Sequence, residues 1–296
     1  MKCTMRRLGP FLLLIGLCGA AFAQQSRGPS IAPFSLRLSG AGAWSAIGDL
    51  NTHLNSFDQR YSYLTDAEGG IRGLSRLAND WEIELRVATK TRFSFGLAAS
   101  LFRSEGSSSL AGGTEYGFDR TVTVRPDFAV VMPLGLRVYY SLYSRGGMSL
   151  YAVGGAGWYS ARMKEAYEES SIYPLGDVYY NNRYWDVRAD HALGLVAGLG
   201  LEFRIVRRVS FVSEVQARSL RIGDFLGTVR YETNYGSGQT IREAGTLHFF
   251  SMGDYYDMDV PLPMHLETAA AQDVERQARL DLSGVALRIG VRIELF

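Results

Sequence analysis

The sequence predicts an all-β fold: a transmembrane antiparallel up-and-down β-barrel of about eight strands, with short periplasmic turns and long extracellular loops. Three observations predict it. The N-terminus has the order of an export signal. No later stretch approaches the roughly 18 uninterrupted apolar residues of a membrane-spanning helix. From residue 34 onward, apolar and polar residues alternate in segments whose length suits a tilted transmembrane strand, about 9–11 residues.

Residues 1–7 carry Lys2, Arg6 and Arg7 and no acid, Leu8 to Ala21 is almost wholly apolar, and Ala21-Phe22-Ala23 is a small-x-small cleavage site. Residues 1–23 are therefore expected to be a cleaved signal peptide, residues 24–33 a short lead, and residues 34–296 the barrel domain. Leu17 before Cys18 is not the small residue a lipid-attachment site requires. Both cysteines, Cys3 and Cys18, lie in the signal, so the mature chain is expected to have no disulfide and no thiolate site. Cleavage removes three of the 31 basic residues and none of the 30 acidic ones, leaving a net charge of −2. That balance gives no support to general nucleic-acid binding.

Strand one is expected over about Phe34–Ala46, with Phe34, Leu36, Leu38 and Trp44 on one face and Ser35, Arg37, Ser39, Ala41 and Ala43 on the other. Strand two, about Asp80–Thr89, turns Trp81, Ile83, Leu85 and Val87 outward and Glu82, Glu84 and Arg86 inward. Lys90-Thr91-Arg92 is a tight turn into strand three, Phe93–Arg103. Strand four is clearest over Leu134–Tyr143. Thr121–Met132 also reads as strand but contains Pro126, which leaves the start open. Ser144-Arg145-Gly146-Gly147 turns into strand five, Met148–Arg162, whose glycines leave its facing ambiguous. Strand six, His191–Arg204, sets Leu193, Leu195, Leu199, Leu201 and Phe203 against Gly194, Gly198, Gly200 and Glu202. Val206-Arg207-Arg208 leads to strand seven, Val209–Ile222, with Glu214, Gln216 and Arg218 inward. Strand eight, Leu280–Leu295, points Val285, Leu287, Ile289, Val291, Ile293 and Leu295 to lipid and Arg288, Arg292 and Glu294 to the lumen.

The inward charges are mixed: Arg37, Arg86, Arg137, Arg218, Arg288 and Arg292 against Glu82, Glu84, Glu202, Glu214 and Glu294. In a narrow barrel they have to pair, because an unpaired buried charge is costly. Three connections are tight, and four are long, at about residues 47–79, 104–120, 163–190 and 223–279. A soluble sandwich has no reason to sort its loops this way.

The pattern resembles the OmpA/OmpX/OmpW-like eight-stranded outer-membrane β-barrels over nearly all of residues 34–296. The sharpest likeness is the last strand, Arg288 to Phe296. In that family it carries a polar residue, a glycine two later and alternating hydrophobics near a terminal aromatic. Arg288, Gly290, Ile293 and Leu295 fit that spacing, and Phe296 supplies the aromatic one position out of phase. The resemblance implies a Gram-negative outer-membrane location, outer-membrane lipid and lipopolysaccharide as surroundings, and the barrel-assembly machinery as a partner during biogenesis.

Within the first loop, Leu50, Leu54, Phe57, Tyr61 and Leu64 recur at helical spacing, and Asp49 is expected to cap the helix. This helix either closes one mouth of the barrel or gates it. The third loop holds Tyr167, Tyr173, Tyr179, Tyr180, Tyr184 and Trp185, which suit a surface-ligand patch, an interfacial girdle or extended strands equally. The fourth loop has room for a hairpin with its tip at Gly236-Ser237-Gly238. Asp254, Asp257 and Asp259 lack the glycine and downstream glutamate of a calcium loop, so a solvated acidic loop is expected. None of His53, His191, His248 or His265 begins the His-x-Ser pair of lipid A deacylases. No phosphate loop, zinc motif or nucleotide fingerprint appears, and no cofactor or catalytic residue is predicted. The expected role is structural or surface-interacting, with a lumen closed by Arg/Glu pairs. A small-solute, porin-like channel gated by the first-loop helix and a lipid-modifying barrel enzyme are the alternatives.

Overall fold

The structure is a computed structural model that describes residues 34–75, 77–234, 238–250, 264–267 and 275–295. The expected signal peptide and lead, Phe296, Asp254, Asp257, Asp259, the hairpin-tip residues Gly236 and Ser237 and the side chain of His265 lie outside the described residues.

In chain order the elements are β1 (Phe34–Ser45), α1 (Asp49–Arg60), β2 (Thr65–Gly69), β3 (Leu77–Ala88), β4 (Phe93–Glu105), β5 (Ser108–Gly113), β6 (Asp119–Arg145), β7 (Met148–Ile172) and β8 (Val178–Val206). There follow β9 (Val209–Ser219), β10 (Arg221–Ile222), β11 (Leu226–Thr233), β12 (Gln239–Phe250), β13 (Met264–Glu267), β14 (Glu275–Gln277), β15 (Leu280–Asp281) and β16 (Gly284–Glu294). Antiparallel pairing runs from β1 to β3, β4, β6, β7, β8, β9 and β16, and β16 pairs back onto β1, with Ser35 opposite Glu294. The pairings therefore close into a ring, which leaves no free edge along that circuit.

One rim carries the short connections. Gly146 and Gly147 both have positive φ, at 62° and 86°, which the primed turn of a two-residue hairpin requires. Phe34 and Leu295 meet at the same rim, where the Leu295 N–H donates to the Phe34 carbonyl at 2.8 Å.

The other rim corrects the sequence-based expectation. Residues 104–120 and 163–190 are not long loops. β6, β7 and β8 run unbroken far above the ring, and β7 turns into β8 around Pro174–Asp177. The tyrosines of the expected third loop are thus largely strand residues. β6 also starts at Asp119 and accepts Pro126. Below Pro126 its neighbour is β4 and above it β5, and the Pro126 carbonyl accepts from Gly106 N–H at 3.0 Å. The missing N–H points to that junction, where a strand tolerates proline. β11 and β12 form the expected hairpin of the fourth segment and extend the sheet from β8.

The two halves of the long strands have opposite polarity. In the ring the outward side chains are apolar and exposed: Trp44 and Trp81 are each 65 % exposed and Leu136 52 %. The inward ones include buried Arg37, Glu82, Glu84 and Arg137. Above the ring the inner face holds buried Val122, Val124, Phe128, Met163, Trp185, Val187 and Val229, packed with α1 in one apolar cluster. Two irregularities lie at this change of polarity. β6 shifts register between Val131 and Leu134, around Pro133, and β8 slips opposite Tyr159–Ala161, beside His191 with its φ of 72°. Each bulge moves inward facing from one parity to the other, so that Met132 and Gly135 both face inward on β6.

Gly200 lies opposite Tyr151, and a Cβ there would run into the Tyr151 ring, whereas a Cβ at Gly154 meets nothing within 4 Å. Gly200→Val is expected to lower stability by about 1–3 kcal/mol through overpacking. Gly154→Val should leave it within about 0.5 kcal/mol, as surface changes do. Urea-unfolding midpoints of the two variants test the contrast.

Candidate functional site

The interior of the ring is built by strand alternation, which turns every second residue inward. Arg37 on β1 is its centre. It is 2 % exposed, and its guanidinium donates to Glu82 at 2.7 Å, to Glu84 at 2.5 Å and to Glu214. Each of these carboxylates has further partners. Arg137 donates to Glu82 at 3.1 Å, the Tyr139 hydroxyl to Glu84 at 2.6 Å, and the Tyr151 hydroxyl and Gln216 amide to Glu214 at 2.6 and 2.5 Å. Arg86 lies over the Tyr139 ring, 4.1 Å from its centroid, and donates to Ser94 at 2.9 Å.

Asp80 gathers a second cluster nearer the upper rim of the ring. It accepts from Arg288 at 2.9 Å and from Arg218 at 3.3 Å. Toward the short-turn rim, Arg292 pairs with Glu202, and Glu294 lies 3.7 Å from Arg292 and 3.6 Å from Arg204. The space left among Asp80, Glu82, Arg137, Tyr159, Arg218 and Arg288 is about 10 Å³. A cavity of this size holds about one water molecule, so side chains fill the interior at this level.

The structure thus brings the sequence-derived lumen residues into contact as an Arg37 cluster and an Asp80 cluster joined through Arg288, which lies 3.8 Å from Glu82, with the Arg292–Glu202 group below them. Arg86 is the exception: it is held by aromatic rings and a serine. Sequence reasoning missed Asp80, Tyr139 and Tyr151 as members. Asp80 is in phase with Glu82 and Glu84, so the alternation itself carried that signal. Tyr151 was hidden by the glycines around it, and its partner Gly200 across the β7–β8 pair was the available clue. Of the expected assembly-signal residues, Arg288 and Gly290 face inward, Ile293 faces outward, and Leu295 joins the backbone at the β1 rim.

Above this interior sits α1. Leu50, Leu54 and Phe57 are buried against the inner wall. His53 lies on the same face, fully buried, with Nε2 3.0 Å from Glu165 Oε2 on β7. Glu165 also accepts from Arg183 at 3.0 Å and from the Trp185 indole at 3.1 Å. Burial by itself would raise the Glu165 carboxyl, but His53 and Arg183 outweigh it and hold it at about 2. The Tyr61 hydroxyl, pushed up to about 12 by burial, bonds Tyr167, which in turn donates to Glu169 at 2.5 Å.

The expected role of Asp49 changes. The residue preceding the helix is Gly48, no side chain caps the helix, and Asp49 is its first residue. Its carboxylate instead accepts from Arg276 at 2.6 and 2.7 Å and from the Arg279 N–H at 2.8 Å, fastening α1 to the segment before β16. Of the four histidines two stand apart and two share a strand pair. His53 faces Glu165, His191 is exposed at the β8 bulge, and His248 lies opposite His265 in the β12–β13 pair.

No protein-family model and no curated protein matches the chain. Among solved structures it is similar to a major outer membrane protein of Thermus thermophilus, at 14% identity and TM-score 0.33, covering 89% of this chain and 99% of that one. It is also similar to the translocator domain of the autotransporter NalP from Neisseria meningitidis (9% identity, TM-score 0.18, covering 96% and 95% of the chains). A third is a deletion mutant of TodX, a monoaromatic hydrocarbon channel (10% identity, TM-score 0.17, covering 90% and 91%). The fold described above rests on the chain's own strand pairings and not on these likenesses.

Arg37→Ala strands three buried carboxylates and is expected to cost about 3–5 kcal/mol, the scale of breaking one side of a buried ion pair. A urea midpoint equal to wild type would show that the cluster adds nothing to stability. The folded value of Glu165 is depressed, so its stabilising contribution is full above its ordinary value of 4.5 and is lost as pH falls toward 2. Trp185 emission should report this loosening in acid. In His53→Ala, with one hydrogen-bond partner of the carboxylate removed, the same change should begin at higher pH.

Proposed function

We propose that the chain is a Gram-negative outer-membrane protein: an exported, eight-stranded transmembrane β-barrel of the OmpA/OmpX/OmpW-like kind, closed inside and with a structural and surface-interaction role. The observation that carries this reading is the inverted polarity of the ring. A ring of strands in water hides its apolar residues inside, whereas here they point out. On β8 the exposed apolar side chains run from Leu193 to Phe203. That length matches the roughly 9–11 residues a tilted strand needs to cross the hydrocarbon core. Exposed Trp44, Trp81 and Trp158 stand near the upper boundary of the band, where interfacial aromatics of membrane barrels sit.

The closed interior supports a structural role over transport. Arg37, Arg137, Arg288 and their carboxylates occupy it, and α1 with its apolar partners covers it from above. His53 is committed to Glu165 in a fully buried position, which supports a non-catalytic role for this histidine. The tall β6–β7–β8 extension would stand outside the cell as the interacting part.

Refolded protein in lipid vesicles should show heat-modifiable migration and no steady conductance in planar bilayers. Open, stable channels would overturn the closed structural role. Leu136→Arg, which points outward in mid-band, should cost about 2–4 kcal/mol in vesicles, as arginine does near a bilayer midplane. Thr123→Arg, outward on the upper part of the same strand, should be near neutral. Equal effects of the two substitutions would remove the case for a membrane band.

A further inference from the structure

The outer face of the extension carries a feature that neither the closed interior nor the α1 cap uses. Just above the apolar band, β6, β7, β8, β11 and β12 form a concave groove of about 580 Å³. Strand register places its outward residues in rows. Asp127, Lys164, Asp186 and Thr228 lie side by side, and above them Arg125, Ala166, Tyr184, Arg230 and Arg242. On β7 the outward side chains ascend from Trp158 through Ser160 to Arg162 and Lys164, so the cations begin a few residues above the aromatic belt.

Two cross-strand pairs in this patch are of like charge. Arg162 lies directly opposite Arg188, and Arg230 directly opposite Arg242. Like charges in direct cross-strand register destabilise a sheet. Nearby carboxylates offset part of this: Arg162 bonds Asp186, Arg125 bonds Glu168, and Arg230 lies 3.1 Å from Glu232. Arg188, Arg242 and Lys164 make no ion pair among the described residues. Asp127 is held as well by Arg103 at 3.3 Å, so Lys164, Arg188 and Arg242 remain as cations without an ion pair in and beside the concavity.

We propose that this groove binds the phosphorylated headgroup of the glycolipid in the surrounding outer leaflet. The inference rests on the outer-membrane reading above and names the lipid chemistry its extension meets. Arg162 stands four residues above Trp158, roughly 13 Å along the strand, and the phosphates of a lipid whose acyl chains lie against the apolar band rise toward it and Arg188. Guanidinium groups bind phosphate oxygens through paired, charge-assisted hydrogen bonds. A phosphate bound at either arginine pair also relieves the repulsion within that pair. Tyr184, with Arg230 4.6 Å from its ring centroid, gives the groove a flat floor against which a sugar ring can pack.

The test uses the protein refolded into phosphatidylcholine vesicles, with and without bisphosphorylated lipid A, and reads the urea midpoint. Wild type should gain stability from lipid A. The double variant Arg188→Gln/Arg242→Gln should start equal to or above wild type without lipid A, because like-charge repulsion is gone, and should gain little from it. Its affinity for lipid A in detergent should fall about tenfold or more, the scale of a few lost charge-assisted contacts. The control Arg92→Gln/Arg207→Gln, at the short-turn rim, should behave as wild type. Equal gains for wild type and the arginine-groove variant overturn the proposal. Inorganic pyrophosphate binding as tightly as lipid A overturns the lipid as the source of the phosphate. Failure of the wild type to insert into phosphatidylcholine vesicles at all defeats the outer-membrane reading itself, which separates the two outcomes.

Discussion

The guanidinium of Arg37 fixes the interior of the ring. Closing the strands on themselves satisfies every edge along the circuit, but it also creates a narrow inside into which alternation drives charged side chains. A charge there is tolerable only when paired and hydrogen-bonded. Arg37 on β1 reaches Glu82 and Glu84 on β3 and Glu214 on β9, and those carboxylates are held in turn by Tyr139 on β6 and Tyr151 on β7. The ring is thereby tied across its middle as well as around its circumference. Small residues make room for this: Gly200 lies opposite Tyr151 and Gly96 opposite Arg86.

The same strands then exchange their apolar and charged faces halfway up. Below the Pro133 and His191 irregularities they turn charges in and hydrocarbon out. Above them they turn hydrocarbon in and charges out, as in a water-soluble sandwich. A regular strand cannot exchange the parity of its inward residues, and a single bulge does so at little cost in pairing. Both bulges lie level with Trp158–Ala161 of β7, which keeps its own parity throughout.

Adjacent residues of the extension consequently serve two surfaces. Glu165 points in and anchors His53 of α1, while Lys164 and Ala166 line the outer groove. Trp185 points in to Glu165 between outward Tyr184 and Asp186. The α1 cap and the cationic groove are thus two sides of one sheet. The Asp49–Arg276 contact holds the cap at β14, beside β12 at one end of the wall, and the Glu165 cluster holds it at β7 in the middle of the wall.

The sequence by itself determined the inward and outward residues of the ring strands other than the glycine-rich β7, the tight turns at Lys90, Gly146 and Arg207, and the helix at Asp49. These follow from local periodicity and turn chemistry, which a chain carries residue by residue. It also supplied most of the interior charges, because they share one parity on each strand. Only the tertiary structure decided that residues 163–190 continue as strands, since their polar and aromatic composition suits a loop and an exposed sheet face equally. Pairing of β8 with β11 settles it. Nor could sequence spacing reveal that His53 meets Glu165, 112 positions away, that Asp49 serves Arg276 rather than a helix cap, or that Arg162 faces Arg188 and Arg230 faces Arg242. Those are consequences of strand register, which the turns and bulges set together and no single segment encodes.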